Sequence, residues 1–124
     1  MTKSSKSYHH GNLKQELILC ACRLCEEYGY ESLSMRSIAK ESGVSQTAPY
    51  RHFDTKESLY AYVAMEGFKK LSAATNIDIS KKVTKDNMVK TGINYINFGL
   101  GNANTYDLMF GTAVGDFSNY PDLL

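Results

Sequence analysis

Hydrophobic residues recur every three or four positions along most of the chain, which is the spacing of one face of a helix. Asn12 is a candidate N-cap, and Gly29 is a candidate C-terminal stop. The pattern between them predicts a first helix over residues 13–28. Its inward face would carry Leu17, Cys20, Ala21, Leu24, Cys25 and Tyr28.

Two short helices around a glycine turn are predicted next. Ser34 can cap the first of them, and Gly43 can adopt a positive φ at the sharp turn that follows. Ser45 can then cap a helix over residues 46–53. Pro49 costs this helix one backbone hydrogen bond, so a tightened or slightly shifted first turn is an open interpretation, and the predicted helix stays at residues 46–53. The inward residues of the first short helix would be Met35, Ile38 and Ala39. This arrangement is typical of a helix-turn-helix.

The second half of the chain has the same helical spacing. Thr55 can cap a long helix that ends near residue 74, and Thr84 or Asp86 can open another that ends near residue 101. Asn104 can cap a further short helix, whereas residues 111–124 are weakly specified. The apolar face of the helix that ends near residue 101 would carry Val89, Ile93, Ile96 and Leu100. Since no strand pattern appears, the fold class is expected to be all-α.

Composition adds little to this picture. The hydrophobic fraction of 43% and the charged fraction of 22% are ordinary for a soluble globular protein, and the net charge of +1 does not indicate a nucleic-acid partner. No apolar run is long enough to span a membrane, and the N-terminus lacks the apolar stretch of a secretory signal. We therefore expect a cytoplasmic protein without a membrane partner.

Three cysteines lie close together, at Cys20, Cys22 and Cys25. A metal or redox site is one interpretation. On a helix, however, Cys22 points away from the other two, so the three thiolates would not converge on a zinc ion. Small buried hydrophobic residues are the favoured interpretation, and no metal or cofactor is expected. Because the sequence also lacks a nucleophile–base arrangement and a phosphate-binding glycine loop, we do not expect an enzyme.

A helix-turn-helix places its second helix in the major groove, with the N-terminal residues of that helix at the base edges. Gln46 can bond bidentately to adenine, Thr47 can use its hydroxyl or methyl group, and Ala48 can contact a thymine methyl. The predicted DNA-binding residues are Ser34, Arg36, Ser45, Gln46, Thr47, Ala48, Tyr50, Arg51, His52 and Lys56.

Phosphates are the expected targets of the flanking groups. Lys56 lies at the start of a helix, where free backbone N–H groups also favour an anion. Ser34 and Arg36 form a similar phosphate clamp at the start of the first short helix. A polar arm over residues 1–12 can follow the DNA backbone or enter the minor groove, through Lys6, Tyr8 and His10.

Residues 34–39, 43–45 and 49–59 together resemble the DNA-binding domain of the TetR family. The most specific portion reads Tyr-x-His-Phe-x-x-Lys-Glu-x-Leu and begins at Tyr50. Residues 8–13 and 102–111 are similar to segments of one subgroup. The resemblance implies a homeodomain-like helix-turn-helix over residues 13–60 and a long connecting helix. Residues 61–124 would then begin an incomplete C-terminal helical domain, since members of the family are usually longer.

This resemblance also implies a function. Most members are repressors that bind a near-palindromic double-stranded operator as homodimers, and a small-molecule effector in the C-terminal domain changes their DNA affinity. Residues matching Tyr50, His52 and Lys56 commonly hold the DNA backbone. An effector pocket and a helical core are both open interpretations for Tyr95, Phe98, Tyr106, Met109 and Phe110. The alternative function is a protein-interaction module without specific DNA binding, which high salt would not weaken.

Overall fold

The computed structural model describes residues 12–76 and 80–123. The predicted N-terminal arm, with Lys6, Tyr8 and His10, lies outside this range. Throughout the described chain the regular structure is helical, without a strand. The expectation of an all-α fold is therefore confirmed.

Within residues 12–76 and 80–123, five α-helices and four short 3₁₀ segments are present. The α-helices are α1 (Leu13–Tyr28), α2 (Met35–Ser42), α3 (Lys56–Thr75), α4 (Lys85–Gly101) and α5 (Ala103–Phe110). The 3₁₀ segments are Tyr30–Ser32, Ala48–Arg51, Phe117–Asn119 and Pro121–Leu123. The α-helical boundaries agree closely with the predicted ones, except that the helix predicted over residues 46–53 is not an α-helix.

Local side-chain bonds explain where the helices begin. The Ser34 hydroxyl accepts the Ser37 N–H at 2.9 Å, and the Ser37 hydroxyl accepts the Ser34 N–H at 3.0 Å. Thr55 and Ser58 form the same reciprocal pair at the start of α3. Each pair satisfies backbone N–H groups that the first turn of a helix leaves without partners. Thr84 caps α4 through its hydroxyl alone.

Two predicted caps, Asn12 and Asn104, differ from the prediction in different ways. Asn12 occupies the N-cap position of α1, as predicted, but its side chain makes no capping bond; only its carbonyl joins the helix, by accepting the Glu16 N–H at 3.0 Å. Asn104 lies inside α5, which begins after Asn102. The Asn104 side-chain amide instead donates to the carbonyl of Glu26 at 3.0 Å, because α5 packs against the end of α1.

The core lies between α1, α2 and the first half of α3, with α5 packed against α1 and α3. Its largest fully buried side chains include Leu17, Ile38, Phe53 and Leu59. Gly67 lets α5 approach α3 closely, since a Cβ at this position would lie 2.6 Å from the sulfur of Met109. The helix-turn-helix and the helices that follow it therefore share one packed interior.

Two predictions about buried faces are wrong. Tyr28 is 65% exposed, and the aromatic contact near this end of α1 comes from Tyr30, whose ring meets that of Tyr60 edge-on at 5.5 Å. On α4 the whole predicted apolar face is exposed, because α4 packs on α3 and α5 through its opposite side, where Phe98 is buried. We call this exposed face the apolar stripe; it consists of Val89, Ile93, Ile96 and Leu100.

Residues 111–123 run back along α3 toward the helix-turn-helix. Val114 is buried, and the ring of Phe117 lies 6.2 Å from that of Phe68. Farther along, the Tyr120 hydroxyl donates to a Glu57 carboxylate oxygen at 3.0 Å, in the first turn of α3. We call residues 111–123 the return segment. It links the end of the described chain to the beginning of the long helix.

Candidate DNA-binding surface

The turn between the two short helical segments is fixed by backbone geometry. Gly43 has φ 72° and ψ 28°, a left-handed conformation that side-chain-bearing residues seldom adopt. The Gly43 N–H donates to the carbonyl of Lys40, and the Val44 N–H donates to that of Ala39 at 3.0 Å. These bonds satisfy the last carbonyls of α2 and turn the chain sharply.

The segment after this turn is shorter than predicted. Residues 46–53 do not form an α-helix; Ala48–Arg51 is a 3₁₀ helix, which we call the recognition turn. In an α-helix the carbonyl of Ser45 would accept the N–H of residue 49, but Pro49 has none. That carbonyl accepts the Ala48 N–H at 3.1 Å instead, which tightens the first turn. The predicted α-helix over residues 46–53 is therefore wrong, and the tightened first turn at Pro49 is the observed outcome.

The recognition turn and the two residues before it divide into side chains that face inward and side chains that face outward. Ala48 is 4% exposed, and Pro49 is among the fully buried side chains. Gln46, Thr47 and Tyr50 face outward, and the ring of Tyr50 is 59% exposed. The prediction that Ala48 faces a base edge is therefore wrong, because its methyl group packs inward with Pro49. The outward set carries an amide, two hydroxyls and an aromatic ring.

Three exposed cations lie in the recognition turn or in the helices on either side of it. Arg36 lies in the first turn of α2, Arg51 ends the recognition turn, and Lys56 begins α3. The ion pairs within residues 12–76 and 80–123 join Lys69 to Glu66, Lys70 to Glu26 and Lys90 to Asp86. None of these ion pairs involves Arg36, Arg51 or Lys56, although the Lys56 ammonium lies 5.6 Å from the centroid of the Tyr60 ring. All three cations are exposed and can meet an anionic partner.

The two predicted serines differ in their roles. The Ser34 hydroxyl is engaged in capping α2 and is half-buried. Ser45 is exposed, and its hydroxyl lies 3.4 Å from that of Thr47. Ser45 therefore does not cap the recognition turn and can interact with a partner.

His52 is influenced by Arg51 and by one further cation, Lys14. Burial lowers the pKa of its imidazole, and the charges of Lys14 and Arg51 lower it further. Lys14 was not among the predicted site residues; it reaches this region from α1 and donates to the Tyr62 hydroxyl at 2.8 Å. Nothing in the local sequence indicates this proximity, because Lys14 and Tyr62 are brought together only by the packing of α1 on α3.

Residues 17–63 match the sequence model of a family described as bacterial regulatory proteins, tetR family. The match runs from α1 into α3 and includes the complete turn and recognition segment. Residues 17–63 are therefore similar to the DNA-binding segment of the TetR family.

Relatives with curated names agree with this assignment. The HTH-type transcriptional repressor AcnR of Corynebacterium glutamicum is 36% identical over 55 residues, which are 44% of this chain and 29% of the relative. An HTH-type transcriptional regulator of Staphylococcus aureus strain USA300 is 42% identical over 50 residues, 40% of this chain and 27% of the relative. The match thus spans less than a third of either relative. Family and names indicate regulation rather than catalysis.

The residues considered for an effector pocket fall into two groups in the structure. Phe98 and Met109 are buried, with 6% and 5% exposure. Tyr95, Tyr106 and Phe110 form an aromatic cluster at the surface: the two tyrosine hydroxyls lie 2.9 Å apart, and the Tyr106 and Phe110 rings lie 4.6 Å apart. The structure therefore brings three of the five together as partly accessible aromatic side chains.

The cysteines are packed as small hydrophobic residues. Cys20 and Cys25 are buried, as predicted, and Cys22 is half-buried. Burial, together with the nearby Glu66 carboxylate, raises the pKa of Cys22 to about 12, and burial raises that of Cys25 to about 11. The thiols therefore stay protonated at neutral pH.

Among the helices of the described chain, none is both long and apolar enough to cross a bilayer.

Proposed function

We propose that this chain binds double-stranded DNA in a sequence-specific manner and regulates transcription, as a repressor. The observation that carries the proposal is the exposure of Gln46, Thr47 and Tyr50 at the recognition turn, together with the exposed cations in that turn and in the helices next to it. Base-reading groups flanked by phosphate-binding groups are the arrangement that sequence-specific recognition needs. The TetR-family match supports the same function.

Each outward group has a DNA partner of matching chemistry. The Gln46 amide can donate to and accept from an adenine edge in the major groove, and Thr47 offers a hydroxyl and a methyl group. Arg36, Arg51 and Lys56 would bind phosphates on either side. Lys56 adds its charge to the backbone N–H groups in the first turn of α3, which also favour an anion.

We further propose that two copies read a near-palindromic operator, which matches the twofold symmetry of a homodimer. A small-molecule effector would bind against the aromatic cluster of Tyr95, Tyr106 and Phe110. Partly exposed aromatic rings with paired hydroxyls offer an apolar surface and a polar anchor. Phe110 also contacts Phe68 on α3, with ring centroids 5.3 Å apart. A ligand bound at the aromatic cluster would therefore displace α3 through Phe68.

Fluorescence anisotropy tests the DNA-binding proposal directly. The chain is titrated against DNA from its own promoter and against a scrambled duplex, at two salt concentrations. Tighter binding to the promoter that weakens steeply with salt is the expected result. Equal and feeble binding to both duplexes would refute specific recognition and favour the protein-interaction alternative.

The fluorescent probe 8-anilinonaphthalene sulfonate tests the effector site. Its emission should rise with the wild-type chain and fall with Phe110→Ala, which removes one ring of the cluster. Leu100→Ala, on the separate apolar stripe, is the matched control and should preserve the signal. Loss of signal in the control and not in Phe110→Ala would place the probe on α4 and reject the aromatic cluster as its site.

A further inference from the structure

The first turn of α1 borders the recognition turn through two surface clefts. Leu13 lines one of them together with Ser45 and Arg51, and Lys14 lines the other together with His52. The charge of Lys14 lowers the pKa of the His52 imidazole, as a cation close to the ring does. The first turn of α1 therefore reaches the same edge of the molecule as the proposed DNA-binding residues.

The ammonium group of Lys14 is held in place by Tyr62 on α3. Its Nζ donates to the Tyr62 hydroxyl at 2.8 Å and lies 4.5 Å from the centroid of the same ring. The Tyr62 ring in turn meets the ring of Phe53 edge-on at 5.5 Å, and Phe53 is fully buried. Because Phe53 directly follows His52 in the chain, Tyr62 ties Lys14 to the residues that follow the recognition turn.

Lys14 keeps hydrogen-bonding capacity for a further partner. An ammonium group has three N–H donors, and the Tyr62 hydroxyl accepts one of them. The exposed carboxylates of Asp54 and Asp122 also line the cleft, but none of the ion pairs in the described chain joins either of them to Lys14. A lysine that is held before a partner binds loses less rotamer freedom on binding than a fully solvated one.

We infer that Lys14 is a further phosphate-binding residue of the DNA-binding surface and that Tyr62 is its positioning residue. Since Lys14 and His52 line the same cleft, one backbone phosphate can interact with both. This role rests on the proposed DNA binding but not on its sequence specificity, because a phosphate contact carries no sequence information.

Anisotropy titrations of the full 124-residue chain against the promoter duplex and the scrambled duplex test the role of Lys14. In Lys14→Met the slope of log affinity against log salt should fall by about one on both duplexes, since one phosphate contact is lost. Lys14→Arg keeps the charge and should keep the wild-type slope. Lys70→Met removes a lysine that lies about 20 Å farther along α3 than Lys56, and as the matched control it should leave the slope unchanged.

A double-mutant cycle tests the positioning role of Tyr62. Tyr62→Phe keeps the ring against Phe53 and removes the hydroxyl, so it should weaken binding to both duplexes roughly two- to tenfold without changing the slope. In the Lys14→Met background the same substitution should have little further effect, because Tyr62 acts through Lys14. An equal loss in both backgrounds would show that Tyr62 acts on the fold instead, and would overturn its positioning role.

Proton NMR of the free protein gives a readout that does not need DNA. Lys14→Met should raise the pKa of His52 toward the ordinary histidine value, because one of the two cations that lower it is removed. The imidazole signal is assigned by its disappearance in His52→Gln, and circular dichroism checks that the variants are folded.

The outcomes separate the role of Lys14 from the proposed function. An unshifted His52 pKa or an unaltered salt slope in Lys14→Met would overturn the phosphate contact of Lys14, even if the wild type prefers the promoter. Equal, salt-sensitive binding of the wild type to both duplexes would reject sequence-specific recognition, whereas a lower slope in Lys14→Met would still support the contact. Binding to neither duplex would overturn both.

Discussion

The side chains at the recognition turn would interact with DNA through different chemistry, and single substitutions separate their proposed roles. Gln46 offers a bidentate amide, so its contribution depends on the base opposite. Lys56 offers a point charge, so its contribution depends on phosphate and salt. His52 adds a group whose charge changes near neutral pH. The three residues should thus respond to three different variables: sequence, salt and pH.

Replacing Gln46 with alanine removes the bidentate contact and leaves the fold intact, since the side chain is exposed. We expect a loss of about 1–3 kcal/mol on the preferred operator and relaxed preference at one base position. Anisotropy titrations on a set of single-base operator variants measure both effects. Gln15→Ala, an exposed position on α1, is the control. An equal loss on every sequence would rule out base reading by Gln46.

Replacing Lys56 with alanine should weaken binding to all sequences alike, because a phosphate contact carries no sequence information. The slope of log affinity against log salt should fall by about one, from the loss of one counterion released. Titrations at four or more salt concentrations give the slope. Lys82→Ala, which alters an exposed residue outside the helix-turn-helix, should leave it unchanged. An unaltered slope in Lys56→Ala would remove Lys56 from the phosphate contacts.

A phosphate beside His52 should raise the pKa of its imidazole above the depressed value of the free protein. Binding then takes up a proton, so DNA affinity should rise as pH falls through the interval between the free and bound pKa values, within about pH 5–8. Anisotropy across this range should show the rise for the wild type and a flatter profile for His52→Gln. Identical profiles would show that His52 does not sense the phosphate.

The helices differ in how far the sequence determines them. Ser34, Thr55 and Thr84 were predictable as caps, because capping uses residues three positions apart in the chain. The recognition turn was not, because Pro49 removes one bond and the remaining backbone contracts around it. Likewise the apolar stripe could be predicted as a helix face, but its exposure depends on which other helices pack there.

Substituting the N-cap residue of α2 tests whether its side-chain bond stabilises the start of this helix. Ser34→Ala should lower the free energy of unfolding by about 1 kcal/mol, since it leaves the Ser37 N–H without its partner. Ser45→Ala, whose hydroxyl contacts only the Thr47 hydroxyl among described groups, should cost less. Urea unfolding compares the midpoints of the two variants. Equal costs would mean that the capping bond does not stabilise α2 in solution.

At the scale of the whole molecule, the helix-turn-helix and the later helices are joined by close packing. Gly67 on α3 lies against Met109 and Thr105 of α5, both buried. The aromatic cluster and the return segment also contact α3, through Phe68. A displacement of α5 would therefore shift α3, whose first residue, Lys56, lies in the proposed DNA-binding surface.

Two glycine substitutions should change the free energy of unfolding in opposite directions. Gly67→Ala should destabilise the chain by about 1–3 kcal/mol, because the new methyl would lie 2.6 Å from the Met109 sulfur. Gly92→Ala, where the methyl meets open space, should stabilise α4 by about 0.5–1 kcal/mol. Thermal or urea unfolding in dilute solution measures both. A neutral Gly67→Ala would show that α5 shifts freely on α3.

The return segment brings the two ends of the described chain to one place. Leu123 and Asn12 line the same surface cavity, and Asp122 lines another together with His52. A fluorescent label or fusion partner attached after Leu123 would therefore emerge close to the operator and compete with it for space. The same label on the exposed stretch at Lys81 and Lys82 avoids α1 and the recognition turn. Where a reporter is attached thus decides whether it observes DNA binding or blocks it.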